Sequence, residues 1–405
     1  MTMIKRIPAK SLRVGMYITD LNNDWIPHNH DKRRGFIRRE HTIERIQRIG
    51  VRHVYIDTDQ GLDSEDAVPE SEIDRCNEQN LQRAAEAEPS DSKYAPLENE
   101  MGRATEVHSQ AQSLVDNLMQ DVKLGHAIDI APIQSLASDL KTSVFSNPNA
   151  LSALGRIRQK DNYLLEHSVN LSVLMSVFGK GLGLSSEVLQ EIIVGALLHD
   201  IGKILTPDEI LHKPGKLTAR EFAVMKEHVA HSRDILMNSE GVGELTLLTA
   251  AQHHERLDGT GYPEGLSGEQ ISQYGRMAAI ADVYDAITAD RVYHKGITPT
   301  QGLKKLLEWS GDHLDPALVH EFIRCLGIYP IGSVVLLESG RLGVVIETNP
   351  EDQRLPVIRL FYNARMRQHI RVERLDLAAP KNQDRIMHSV DPADYQVDIR
   401  RLMTV

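Results

Sequence analysis

Ten of the eighteen histidines fall between His167 and His320, and five of them sit where a helix would bury them. In the run NYLLEHSVNLSVLMSVF, the positions His167, Leu171, Leu174 and Phe178 recur at i, i+4, i+7 and i+11. The imidazole therefore shares a face with the apolar residues. The next run, SEVLQEIIVGALLHDIGK, places Ile192, Ala196, His199 and Lys203 on one stripe and Ile193, Leu197 and Asp200 on the adjacent one. Three ionisable groups at the end of a buried apolar helix are costly unless they are paired or bind a cation. An Asp200 to Lys203 pair closing the helix is the purely structural alternative. A third helix opens at LTAREFAVMKEHVAHSRDIL, with Thr218 and Glu221 spaced as a capping box and Met225 and His228 facing inward. A fourth ends in AAQHHERLDGTGYPEG. Its adjacent His253 and His254 diverge by about 100°, so both reach one ion only near the helix end. Gly259, Gly261 and Gly265 then force a tight loop whose backbone can approach a ligand. In YGRMAAIADVYDAITADR, finally, Ala278, Asp282 and Asp285 share a face that should be apolar.

Taken together, five histidines and two or three aspartates form a nitrogen and oxygen ligand set with no thiolate. It is too large for one tetrahedral ion and suits a binuclear centre of iron, manganese or a similar metal better than structural zinc. Such centres generate a bridging hydroxide and clamp a phosphoryl group for in-line attack. The residues by themselves point to a two-metal phosphoric-ester hydrolase.

The elements that must hold these groups come from a chain of 405 residues, enough for two to three domains. Apolar residues make up 41% and charged residues 25%, which excludes wholesale disorder and collagen. Two cysteines, Cys76 and Cys325, are too few for an extracellular disulfide framework, so a cytoplasmic setting is expected. No membrane span and no signal peptide is expected either. The net charge is −11, most of it in residues 61–100, which read as an acidic linker whose middle could be helical. With the acidity confined there, long nucleic acid is not an invited partner. Residues 1–60 read as a small α+β module: strands at Ile4 to Ile7 and Leu12 to Leu21, a helix from Glu40 to Arg48, and a strand from Val51 to Ile56. Residues 101–153 read as a helical connector, 154–328 as the catalytic domain, 329–380 as a small β appendage and 381–405 as a tail. The fold class is mainly α, with a β-rich appendage at the C-terminal side.

The ordered set His199-Asp200-Ile201-Gly202-Lys203, His228, His253-His254-Glu255, Gly261-Tyr262-Pro263, then Asp282 with Asp285, Ala286, Thr288, Arg291 and Tyr293 resembles the HD-GYP domain of bacterial cyclic di-GMP phosphodiesterases. The first region is similar to a small N-terminal domain of unknown function that precedes HD-GYP in many such proteins. The resemblance implies a multi-helix HD-superfamily domain that hydrolyses cyclic di-GMP to linear pGpG, with a second round to GMP within the family's reach. It implies two divalent metal ions. His167, His199, Asp200 and Asp282 would hold one, and His228, His253 and His254 the other, with Asp200 bridging. Lys203 would sit beside the scissile phosphate as a catalytic group. Gly261, Tyr262 and Pro263 would border the guanine pocket and could dock diguanylate cyclase domains. Asp285, Arg291 and Lys295 are further expected substrate contacts. The family's lysine three residues after the arginine falls on His294 here, with Lys295 next to it. Some members bind a third ion through a glutamate four residues before the first ligand histidine; that position is Tyr163, and Glu166 is rotated away from His167. A non-hydrolysing cyclic di-GMP sensor and another HD-superfamily nucleotide phosphohydrolase are the competing readings. Oligomeric state is not legible.

Overall fold

Alternating apolar residues near the start of the chain build a small sheet whose buried face carries Ile7, Met16, Ile18, Val54 and Ile56. This is a computed structural model; it describes residues 3–23, 34–86, 94–157, 163–213, 215–290, 295–395 and 397–403. Strands β1 (Ile4–Pro8), β2 (Tyr17–Asp20), β3 (Gly35–Phe36), β4 (His53–Asp57) and β5 (Val68–Pro69) pair in the order β3-β2-β4-β1-β5, all antiparallel. Helix α1 (Glu40–Arg48) packs Ile43 and Ile46 into the same core. The strand expected from Leu12 begins only at Tyr17, because the chain first makes a 3-10 turn at Ala9–Ser11 and Gly15 takes a positive φ of 98°.

The stretch read as a linker is more ordered than its composition suggests. It contributes β5, and helix α2 (Glu70–Ala85) buries Ile73, Asn77, Leu81 and Ala84, spaced i, i+4, i+8 and i+11. That is one helix face, so a net-acidic segment still orders by the stripe it buries. Two compact units result, Met1–Asn80 with Asp208–Ala223, and Leu81–Pro207 with Val224–Val405.

The larger unit is helical around the candidate site. Helix α3 (Leu97–Lys123) is long and amphipathic, burying Ala104, Val107, Ala111, Val115, Leu118 and Val122. It is followed by α4 (Ala131–Ser146), α5 (Pro148–Leu154), α6 (Tyr163–Gly181) and α7 (Ser186–Leu198). Nearly every residue of α6 and α7 from His167 to Phe178 and from Ile192 to Leu198 is buried, so both run through the core. A single turn, α8 (Asp208–Leu211), precedes α9 (Ala219–Met237), whose start carries the expected capping box: Thr218 Oγ1 accepts from the Glu221 amide at 3.3 Å and Glu221 accepts from the Thr218 amide at 2.6 Å. Then come α10 (Glu244–Gln252), α11 (Gln273–Thr288), α12 (Pro299–Trp309) and α13 (Pro316–Leu326). Gly195 lets α7 and α10 approach closely, since a Cβ there would lie 2.7 Å from Thr249 Cβ and 2.8 Å from the Thr246 carbonyl.

Past Leu326 the periodicity changes to two and a second antiparallel sheet forms. Strands β6 (Val334–Leu337), β7 (Arg341–Glu347), β8 (Val357–Asn363), β9 (Gln368–Asp376) and β10 (Ile386–Val390) pair in the order β10-β6-β7-β8-β9. The fifth strand lies in the stretch read as a tail, and a last turn, α14 (Arg400–Met403), follows it. Among the described residues no helix is long and apolar enough to cross a membrane.

Candidate metal centre

Helix α7 was expected to continue through Lys203 but ends at Leu198, with His199 closing it and Asp200 leading into a 3-10 turn at Ile201–Leu205. The cause is local packing. Gly202 lies against α9 so tightly that a Cβ would meet the His228 carbonyl at 2.2 Å, and its amide donates to Ser232 Oγ at 2.9 Å. Glycine at this position lets the turn carrying Asp200 and Lys203 seat directly on the helix carrying His228.

His167 from α6, His199 and Asp200 after α7, His228 from α9, His253 and His254 after α10, and Asp282 from α11 converge, and all seven are buried. They fall into two groups, His167 with His199 and Asp282, and His228 with His253 and His254, joined by a third, His199 with Asp200 and His253; within each the ligand atoms lie within 4.8 Å of one another. Asp200 lies between the two groups and is fully buried. Its Oδ2 is 3.1 Å from His199 Nε2 and 3.7 Å from His167 Nε2, while its Oδ1 is 3.2 Å from His228 Nε2 and 3.9 Å from His253 Nε2. One oxygen therefore serves each group.

The tautomers are fixed from behind. His199, His228 and His253 each turn Nδ1 to the carbonyl three residues earlier, at 2.8, 2.6 and 2.7 Å. A carbonyl only accepts, so the proton is on Nδ1 and the Nε2 lone pair points into the cluster. His167 is held in the same manner by a carboxylate: its Nδ1 lies 2.7 Å from Asp285 Oδ2, and Asn170 donates to the other oxygen of Asp285. Asp285, expected among the substrate contacts, is thus fully buried behind His167.

What these atoms lack is a positive centre. Asp200 Oδ1 and the Nε2 atoms of His228 and His253 are buried and take no hydrogen bond. His167 and His199 face each other Nε2 to Nε2 at 3.2 Å, with Asp282 Oδ1 3.0 Å from His167. Lone pairs converging at such distances repel unless a proton or a metal ion lies between them. Burial opposes a charge on His167, but the Asp282 and Asp285 carboxylates outweigh it and raise its pKa to about 9. Burial drives His253 down to about 3 and likewise lowers His228 and His254. Burial would raise Asp200, yet His199 and Lys203 beside it hold its carboxyl well below the usual range. A divalent cation requires neutral imidazoles and ionised carboxylates: His228, His253, His254 and Asp200 are already driven to those forms, whereas His167 would give up its proton to the ion. The donor set fits two such ions.

Lys203 is buried with its ammonium 2.5 Å from Asp200 Oδ2. Tyr262 is also buried, its ring 4.7 Å from that of His254 and 6.4 Å from that of His228, and its amide donates to the His254 carbonyl at 3.1 Å. Gly261 packs on the backbone of Glu255 and Arg256, and the Tyr262-Pro263 bond is cis. Lys295 is exposed, and its ammonium lies 3.4 Å from Asp391. Arg291, Tyr293 and His294 lie outside the described residues, as does the side chain of Tyr163. Glu166 is buried with Oε2 3.7 Å from His108 Nε2 of α3. The residues behind the ligands, Asp285 as a support and Asn170, escaped sequence reasoning about the centre; the only sequence signal was that Asn170 and Asp285 are polar groups at otherwise buried helix positions.

Replacing Asp285 by asparagine is expected to weaken metal binding by about 10- to 100-fold, the usual cost of losing an outer carboxylate on a ligand histidine. Metal analysis after equilibration at limiting free metal checks this; unchanged affinity would show that Asp285 does not hold His167.

A helical core that gathers a His-Asp pair, four further histidines and a second aspartate is the site of an HD-type, metal-binding hydrolase. Family comparison agrees: a model described as an HD domain matches residues 146–318, and one described as a domain of unknown function, DUF3391, matches residues 4–133. The chain is 39% identical over 395 residues to a cyclic di-GMP phosphodiesterase of Pseudomonas aeruginosa, covering 97% of this chain and 93% of that one. It belongs to the HD-GYP family of cyclic di-GMP phosphodiesterases. A cyclic di-GMP phosphodiesterase response regulator of Xanthomonas campestris is 39% identical over 43% of this chain and 47% of its own length. A 3'3'-cGAMP-specific phosphodiesterase of Vibrio cholerae is 46% identical, over 30% of this chain and 24% of its own length.

Proposed function

We propose that this chain hydrolyses cyclic di-GMP to linear pGpG at a binuclear centre of iron or manganese. The observation that carries the reading is the position of Asp200, whose two oxygens face two separate groups of buried histidines. His167, His199 and Asp282 would hold one ion and His228, His253 and His254 the other, with Asp200 shared. Bound ions would supply Lewis-acid charge to the phosphate and lower the pKa of an attacking water. The chain's own groups orient and balance the charge. The Nδ1 contacts to carbonyls and to Asp285 keep Nε2 of His167, His199, His228 and His253 aimed inward. Lys203, already bonded to Asp200, would donate to a phosphate oxygen and would protonate the departing 3'-oxygen. With water as the nucleophile no covalent enzyme intermediate is needed: a P–O bond to water forms as the bond to the 3'-oxygen breaks, the 3'-oxygen leaves as a hydroxyl, and the phosphate stays on the 5' side of the linear product.

Tyr262, between the second histidine group and the loop, would meet a guanine, and Arg291 and Lys295 would contact phosphate. The same loop is the proposed docking point for diguanylate cyclase domains. Residues 154–328 act as the catalytic domain in this reading, and a cytoplasmic setting suits a second-messenger substrate. The test is turnover by purified, anaerobically metal-loaded protein of cyclic di-GMP, 3'3'-cGAMP and pGpG, with products separated by chromatography. Cyclic di-GMP should be the best substrate and pGpG the first product. Preference for 3'3'-cGAMP would move the assignment to the specificity of the Vibrio relative, and binding without turnover would leave a sensor.

A further inference from the structure

We propose that Glu255 is the positioning residue that holds the Gly261-Tyr262-Pro263 loop against the second histidine group and thereby sets affinity for the dinucleotide. The inference rests on the reading of this site as a cyclic di-GMP centre. Glu255 follows His253 and His254 directly and is only 2% exposed. A buried carboxylate needs partners, and among the described residues no ion pair supplies one. A metal role is disfavoured as well, because Glu255 joins none of the ligand groups. Both oxygens instead accept backbone amides from the far side of the loop, Oε1 from Glu264 at 2.8 Å and Oε2 from Leu266 at 3.0 Å. Between those two residues Gly265 takes a positive φ of 69°, which lets both amides point the same way.

The near side of the loop closes on the same short segment. The Tyr262 amide donates to the His254 carbonyl, and a Cβ on Gly261 would lie 2.5 Å from Glu255 Cα and from the Arg256 amide. The chain from His253 to Leu266 is therefore a closed ring with the Glu255 carboxylate stapled across it. One further tie runs from Glu264 to Arg233 of α9, 2.7 Å apart. Tyr262 hangs between these anchors with its ring on His254. Release of the staple would free the loop from one side only. The histidines would keep their own contacts to Ala250 and Met225, while the position of Tyr262 would broaden.

The experiment compares the full, metal-loaded chain with Glu255→Gln and Glu255→Ala. Glutamine keeps the shape but offers one acceptor and turns an amide nitrogen toward the other N–H. Substrates are cyclic di-GMP and bis(p-nitrophenyl) phosphate, a simple diester that has no base to meet Tyr262. With two charge-assisted contacts disturbed, KM for cyclic di-GMP should rise about tenfold or more in Glu255→Gln, and further in Glu255→Ala. Metal content and turnover of the simple diester should stay within about twofold, since neither uses the loop. Hydrogen exchange of the peptide holding Glu264 and Leu266 should quicken in both variants. Unchanged KM with unchanged exchange would overturn the proposal, and so would equal losses on both substrates with loss of metal, which mark a merely structural role. Should the wild-type chain cleave the simple diester and not cyclic di-GMP, the substrate reading fails by itself, and the exchange measurement still judges the staple: unaltered protection in the variants would refute it.

Discussion

Asp200→Ala is expected to abolish cyclic di-GMP hydrolysis and to release at least one metal ion. Asp200 lies within 4 Å of histidines from both groups, at 3.1 Å from His199 and 3.2 Å from His228; Asp282 spans them as well, 3.0 Å from His167 and 3.5 Å from His254, but Asp200 alone also carries the Lys203 contact. Without it both ions would lose the carboxylate that faces His199 and His228, and Lys203 would be left buried without the carboxylate it is bonded to. Loss of preorganised charge at one position in a dry site commonly costs about 10² to 10³ in rate, and removal of a shared ligand adds the cost of an emptied site. A fall of at least about a thousandfold is therefore expected. Asp200→Asn is the informative companion, because its single carbonyl oxygen can serve one group and not both. It should retain part of the metal and little of the activity. Near-normal turnover in Asp200→Ala would rule out Asp200 as the bridging carboxylate.

The second large effect is expected at Lys203. Its ammonium is buried and reaches Asp200 across a glycine turn that is seated on α9, so its position is well defined. Lys203→Met keeps much of the apolar stem and removes only the charge and the donors. The kcat should fall about 10²- to 10⁴-fold, the range for a lost general acid. Metal content should stay near that of the wild type, because Lys203 supplies no lone pair to an ion when protonated. The outcome that separates this role from a structural one is the split between the two measurements. Loss of metal in step with activity would mean that Lys203 holds Asp200 in place and takes no direct part in the chemistry.

The centre was legible in the sequence because the ligands sit on stripes whose other members are apolar. His167 with Leu171, Leu174 and Phe178 obeys a period of 3.6, and all four are buried. The same logic brought Asp282 inward. What periodicity could not show is where a helix stops: His199, Asp200 and Lys203 fit the α7 stripe, yet the chain leaves the helix at Leu198 because Gly202 packs on α9. That contact links residues about thirty apart and has no local signature. Asp285 was grouped with substrate contacts on the strength of resemblance alone, whereas in the fold it backs His167. Glu255 entered only as part of the His253-His254-Glu255 motif with no role of its own, and only the loop's closure gives its carboxylate two amides. In the stretch 61–100 the sequence left a helix open for the middle, and the i, i+4, i+8, i+11 spacing of Ile73, Asn77, Leu81 and Ala84 is the face that helix α2 buries.

The binuclear reading is tested most directly by titrating metal-free protein with Mn(II) under anaerobic conditions and reading bound ions and cyclic di-GMP turnover in the same samples. Turnover should climb to a break at about two ions per chain and vanish again on chelation. Full turnover with one ion bound, or turnover that persists after every ion has been removed, would contradict the assignment of the two histidine groups to a shared catalytic centre.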